Sequence, residues 1–240
     1  MPMPPWRWER IMSLYYEDEF VQLHHGDCRE LEAWKRADVL VTDPPYGISW
    51  QQSFGANQHK QRVPVTVVKD VIKNDDSPDA RDSVLAAWGQ KPAIVFGSWR
   101  IPRPADTRHT LIWHKLGAYA GVRSGHPFIS NHEEIYVIGS GWINTGKPLY
   151  SVMTTTEPRH VAVQQIGHPT PKPVGLMEKL LDRCPPEWVI ADPFAGSGST
   201  LIAARNIGRR AIGVEIEEKY CELIVKRLGQ QAFQFEGLES

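Results

Sequence analysis

Cysteine is scarce: Cys28, Cys184 and Cys221 are the three in 240 residues. Three scattered thiols build neither a disulfide framework nor a zinc site, and they fit a reduced, cytosolic chain. Long apolar runs are missing too. No segment approaches the ~18 apolar residues of a membrane span, so no membrane partner is expected. The opening stretch, MPMPPWRWERIMSLYYEDEF, lacks the apolar core of a secretory leader. A cytoplasmic, non-secreted protein is the expectation. Charge of one sign is also lacking, with 27 basic against 28 acidic residues. That balance neither demands nor forbids a polyanionic partner. It hides an asymmetry, however. Residues 9–43 carry nine acids and four bases, whereas residues 100–126 carry five bases and one acid, plus three histidines. The basic middle is either a solvated face or a phosphate-contacting surface.

What is present is a series of short apolar runs: 21–25, 38–42, 92–97, 109–115, 133–139, 188–192 and 210–215. Several are continuous rather than alternating, as in strands covered on both faces. Helical periods lie between them at 79–90, 172–184, 199–208 and 217–229, the last two closing on Gly208 and Gly229. Alternating strands and helices predict an α/β domain with a mostly parallel sheet. At this length one domain spanning 1–240 is expected. Residues 51–75 read as a long loop, and 140–170, with weak periodicity, as an insertion.

Two stretches carry chemistry. The first, VLVTDPPYG, ends a strand on Asp43, stiffens the exit with Pro44 and Pro45, and then presents Tyr46. Alone it reads equally well as a strand stopped by prolines. The second, WVIADPFAGSGSTLIAARNIGRRAIGVEI, runs from strand to glycine turn, helix, strand and acid. That is the logic of the dinucleotide-binding unit, in which glycines allow close approach and Glu215 can accept hydrogen bonds from ribose hydroxyls. Ser199 or Thr200 is the expected helix cap. The loop is not G-x-G-x-x-G and has no P-loop lysine. Asp192 and Phe194 suit a cationic adenosine ligand better than a pyrophosphate.

Together these stretches resemble the DNA amino-methyltransferases of the DPPY type. TDPPYG (42–47) resembles their catalytic motif and DPFAGSGST (192–200) their cofactor loop. HPTPKP (168–173) resembles the segment that helps bind the methionine end of the cofactor, with Pro171 where the family usually has Gln. HHGDCRE (24–30) resembles the acidic tip that holds the adenine. With the catalytic motif first, the order matches the circularly permuted beta branch.

The resemblance implies a seven-stranded, mostly parallel Rossmann-like sheet with helices on both faces, the stretch 140–170 serving as a small target-recognition insertion. It implies S-adenosylmethionine as cofactor, no metal, and DNA as partner. Asp43, Pro44, Pro45 and Tyr46 would be catalytic. Asp27, Cys28, Asp43, Thr170, Lys172, Asp192, Phe194, Ala195, Gly196, Ser197, Gly198, Thr200, Glu215 and Ile216 would bind the cofactor. Adenine is the expected base, because relatives acting on cytosine more often carry Ser in place of Asp43. Tyr46 would stack on a flipped base, with Trp50, Trp99 and Trp113 as further aromatic candidates. Arg103, Arg123, Lys147, Arg159 and His160 are the expected phosphate contacts. The recognition region is short, so either few bases are read or a second copy of the chain shares the grip as a homodimer. A restriction endonuclease partner does not follow from the sequence. The alternatives kept are a cytosine amino-methyltransferase and an inactive DNA-binding relative.

Overall fold

A computed structural model describes residues 13–46, 79–116, 131–155 and 166–236. The 51–75 loop, Trp50, Arg123, Arg159 and His160 lie outside the described residues. Among the described residues, nine strands form one sheet: β1 (Leu14–Glu17), β2 (Val21–His25), β3 (Val39–Thr42), β4 (Ala93–Gly97), β5 (Thr107–Lys115), β6 (His132–Ile138), β7 (Val152–Thr155), β8 (Ile190–Asp192) and β9 (Ala211–Glu215). Their spatial order is β1-β2-β9-β8-β3-β4-β6-β5-β7. The helices are α1 (Asp79–Trp88), α2 (Val174–Leu181), α3 (Ser199–Asn206) and α4 (Glu218–Glu236).

The seven expected strands are the seven central ones, and the expected total is corrected by two short edge strands. β1 pairs antiparallel with β2. Its turn is closed by Asp18, whose Oδ1 accepts the Phe20 and Val21 N–H groups at 2.9 and 2.7 Å. β7 pairs parallel with β5 inside the expected insertion. From β2 through β9, β8 and β3 to β4 every pairing is parallel; β6 runs antiparallel to both β4 and β5.

Both faces of the centre are covered, which explains the continuous apolar runs. Val39 and Val41 point into a core closed by Leu176, Met177, Leu180 and Leu181 of α2, Leu201 and Ile202 of α3, and Ile224 and Leu228 of α4. Leu40 points the other way, into a core with Trp34, Val84 and Trp88. There Trp34 and Trp88 stack at 5.9 Å. Trp113 belongs to the first core, while Trp99 is exposed.

Two helix ends differ from expectation. α3 is preceded by Gly198 in the left-handed region, with no side-chain cap. Ser199 and Thr200 already lie in the first turn, where their hydroxyls serve other partners. α4 continues through Gly229 to Glu236, because a glycine facing open space costs only about 1 kcal/mol in a long helix. Gly208, at φ +68°, does end α3. No described helix is long and apolar enough to cross a membrane.

Candidate active site

β8 continues through α3 to β9 on one side of the sheet, and β3 through α1 to β4 on the other. The strand order therefore reverses between β8 and β3, and a ligand crevice is expected beyond their carboxyl ends. Asp192 and Asp43 stand there. The Thr42 hydroxyl donates to Asp192 Oδ1 at 2.6 Å, joining residues 150 apart in the chain. Asp192 Oδ1 also accepts the Phe194 N–H at 3.2 Å. Burial pushes this carboxyl up to about 6, while hydrogen bonds from Thr200 and Thr42 oppose the shift.

The glycine turn lets its neighbours approach the backbone closely. Gly196 and Gly198 sit at φ +51° and +78°. A Cβ on Gly196 would fall 3.1 Å from His168 Nε2. His168 packs edge-on against Tyr220 at 4.6 Å and accepts the Thr170 N–H at 3.2 Å. Ala195 donates to the Val214 carbonyl at 2.9 Å, and Arg227 donates to the Ser197 carbonyl. Phe194 and Ile216 are half-buried at the rim.

Glu215, at the tip of β9, is buried. Its Oε2 accepts the Gly196 N–H at 2.7 Å and its Oε1 the Glu217 N–H at 2.8 Å. Burial still prevails and pushes the carboxyl up to about 7. Asp27, beyond β2, is engaged by both the backbone and the guanidinium of Arg29, which hold its carboxyl below the usual range. The Cys28 side chain packs in the second core, and burial pushes its thiol up to about 12.

Besides the Thr42–Asp192 bond, Lys172 ties the stretch around Asp43 to the glycine turn. Lys172 is buried. Its ammonium donates to Asp43 Oδ2, while its carbonyl accepts the Ser199 hydroxyl at 2.7 Å. Ser197 Oγ and Ser199 Oγ lie 3.1 Å apart. The Tyr46 hydroxyl donates to Asp43 Oδ1 at 2.7 Å. Burial raises the Asp43 carboxyl, the Lys172 ammonium opposes that, and the Glu133 carboxylate adds to it. Pro44 and Pro45 are buried, so this exit from β3 is walled as well as stiff.

Glu133 and Lys115 belong to this cluster and were not expected from the sequence. A signal existed. Two adjacent acids in the run HEEIYVI must point to opposite faces of a strand that is covered on both. Glu134 takes one face, where Tyr136 donates to it at 2.5 Å and Arg103 pairs with it at 3.0 Å. Glu133 takes the other, beside Asp43.

Comparison with known proteins places this architecture. Residues 59–226 match the family model described as DNA methylase, of the N6/N4 methyltransferase type. The Type II methyltransferase M.ScaI of Streptomyces caespitosus is 38% identical over 268 aligned residues, covering 91% of this chain and 84% of that one. The solved M1.HpyAVI complex with S-adenosylmethionine superposes with a TM-score of 0.60 at 20% identity, over 87% of this chain and all of the other. The cytosine-N4-specific PvuII DNA methyltransferase gives 0.61 at 15% identity, over 89% and 88% of the two chains. Those two likenesses are of fold. The family match and the close relative together establish that this chain belongs to the N6/N4 DNA methylase family.

Proposed function

We propose that this DNA methyltransferase transfers a methyl group to the exocyclic amino group of adenine in a specific DNA sequence. The observation that carries the reading is the meeting of Asp43 with the glycine turn, through the Thr42–Asp192 and Lys172–Ser199 hydrogen bonds. The adenine preference rests on an aspartate, rather than a serine, ahead of the two prolines.

The cofactor is S-adenosylmethionine, and when bound it supplies an electrophilic methyl group on a sulfonium. The residues present fit it. The turn at Gly196 is a cradle that a Cβ would begin to fill. Glu215 is an acid at the strand tip that can accept ribose hydroxyls. His168 and Tyr220 form an aromatic wall beside that turn. Asp192, Phe194, Ala195, Ser197, Gly198, Thr200 and Ile216 line the same end of the sheet, and Thr170 and Lys172 serve the amino-acid end. Asp27 serves the adenosine end, with Cys28 contributing through its backbone.

The chain's own work is orientation. An adenine amine is a poor nucleophile because its lone pair is delocalised into the ring. The Asp43 carboxylate and the Pro44 carbonyl each accept one of its N–H bonds and draw the nitrogen toward tetrahedral geometry. Both Asp43 oxygens already have a partner in Lys172 and Tyr46, but each keeps a further lone pair. Acceptors fixed before reaction lower the barrier through placement and preorganised charge. The target base leaves the duplex at a cost of a few kcal/mol, and the Tyr46 ring returns about 1–3 kcal/mol by stacking. Arg103 and Lys147 are exposed cations that contact phosphate, although Glu134 and Asp182 hold them in the absence of DNA.

Residues 140–170 act as the recognition insertion, in the permuted beta arrangement. A homodimer sharing the duplex is compatible with the short recognition region.

Transfer of labelled methyl from S-adenosylmethionine to mixed-sequence DNA, followed by nucleoside analysis, tests the reading. N6-methyladenine is expected. N4-methylcytosine would move the protein to the rival specificity, and no label above a D43N control would overturn the reading altogether.

A further inference from the structure

Glu133 meets three side chains from three separate parts of the chain. Its Oε1 receives the Lys115 ammonium from β5. Its Oε2 lies 3.5 Å from Lys172 Nζ, ahead of α2, and 3.5 Å from the Tyr46 hydroxyl, beyond β3. Both of those groups also donate to Asp43, one to each carboxylate oxygen. The cluster thus contains two carboxylates and two ammonium groups and is formally neutral. Its floor is aromatic. Lys172 Nζ is 5.2 Å from the Phe96 ring centre and Lys115 Nζ 4.5 Å from that of Trp113, and the two rings meet edge-on at 6.4 Å. The side chains of Lys172, Lys115 and Glu133 are 7, 16 and 20% exposed.

Such an arrangement is costly for stability alone. Desolvating four charges commonly offsets their attraction, and apolar side chains of similar volume often serve a fold as well. The sheet between Phe96 and Trp113 is already packed without them. What the charges add is direction. Asp43 lies on a loop whose backbone is stiffened by proline, yet its carboxylate can still turn about its own side-chain bonds. Lys172 and Tyr46 each hold one oxygen, and Glu133 holds Lys172 from the other side, while the one Tyr46 proton stays on Asp43.

We propose that Glu133 is a positioning residue for methyl transfer, anchoring Lys172 and through it fixing the direction of the Asp43 carboxylate. The proposal rests on the reading of Asp43 as acceptor of the target amine. Glu133 need not touch substrate or cofactor. Lys115 is its counter-charge and keeps it from competing for Lys172.

The charges facing Asp43 are Lys172 from the segment before α2, Glu133 from β6 and Asp192 from β8, with Tyr46 on its own loop and Lys115 behind Glu133. Lys172 lowers the Asp43 titration and Glu133 raises it. Removing them therefore moves it in opposite directions: E133Q shifts the acidic limb of the rate profile to lower pH, and K172M shifts it to higher pH. Loss of packing alone gives no such opposition.

The experiment measures single-turnover methylation against pH for the wild type, E133Q, E133D, K172M and D43N, with cofactor affinity of each from calorimetry without DNA. Expected for E133Q is cofactor affinity within about twofold of wild type, a rate lower by about 10- to 100-fold, and the downward limb shift. E133D keeps the charge but shortens the reach. A positioning role predicts that it too loses rate, with the limb unmoved. A wild-type rate in E133Q, or in E133D should E133Q not fold, overturns the proposal. So does an acidic limb that stays fixed, or moves the same way, in both E133Q and K172M. D43N separates the two levels: if it still transfers methyl, the reading of Asp43 itself fails, whereas an inactive D43N beside a fully active E133Q rejects only the role of Glu133.

Discussion

Gly198 offers a prediction whose magnitude can be worked from contacts. It sits at φ +78°, where an L-residue costs about 1–2 kcal/mol. An added Cβ would also lie 2.7 Å from Cγ1, 3.1 Å from Cγ2 and 3.3 Å from Cβ of Ile224. The last atom moves only with the backbone of α4, so no rotamer change relieves the overlap. Overpacking of this kind adds about 1–3 kcal/mol, so G198A should lose about 2–5 kcal/mol in all. Gly208 is the internal comparison. Its φ is +68°, but a Cβ there meets nothing within 4 Å. G208A should pay the backbone cost alone, about 1–2 kcal/mol. Urea unfolding of both variants, fitted with a common slope, isolates the clash as their difference. At this chain length G198A should melt roughly 5–15 °C lower than wild type. Equal losses in the two variants, within about 0.5 kcal/mol, would refute the packing of the turn against α4.

Burial raises Asp192 to about 6 and Glu215 to about 7, against ordinary values of 3.8 and 4.5. Across that window the folded chain keeps protons that the unfolded chain has released. Stability without cofactor should therefore fall as pH rises from about 4 to 7, by at most about 3 kcal/mol per group, and a urea midpoint that rises from pH 5 to pH 8 contradicts this. T42V leaves the buried Asp192 carboxylate one donor short, and should cost about 1–3 kcal/mol and weaken cofactor binding measured by calorimetry. R103A and K147A should each flatten the salt dependence of DNA binding by about one unit of slope, and unchanged slopes in both would remove these residues from the phosphate contacts.

The central sheet was legible because each of its parallel strands is buried on both sides and so spells an unbroken apolar word, as in Val39–Val41 or Ala93–Phe96. β1 and β7 were not, since four residues at an open edge carry little burial and no period. The glycine turn and its neighbouring acids stood out because they lie close together in sequence. The cluster around Asp43 did not, because the contacts that define it span 18, 87 and 129 residues. Lys172 was read as a cofactor ligand, and its bond to Asp43 is a fact of topology. Nor could the sequence reveal that Cys28 turns inward while its neighbour Asp27 remains half-exposed.

The adjacency of β3 and β8 also sets a timetable for synthesis. β3 leaves the ribosome early, and its partner follows some 150 residues later. Until then β3 presents an unsatisfied edge in the middle of the future sheet, an invitation to mispairing that slow, non-local topologies share. The crevice cannot exist before β8, α3 and β9 are made. A chain cut short before β9 therefore carries Asp43 with no glycine turn beside it.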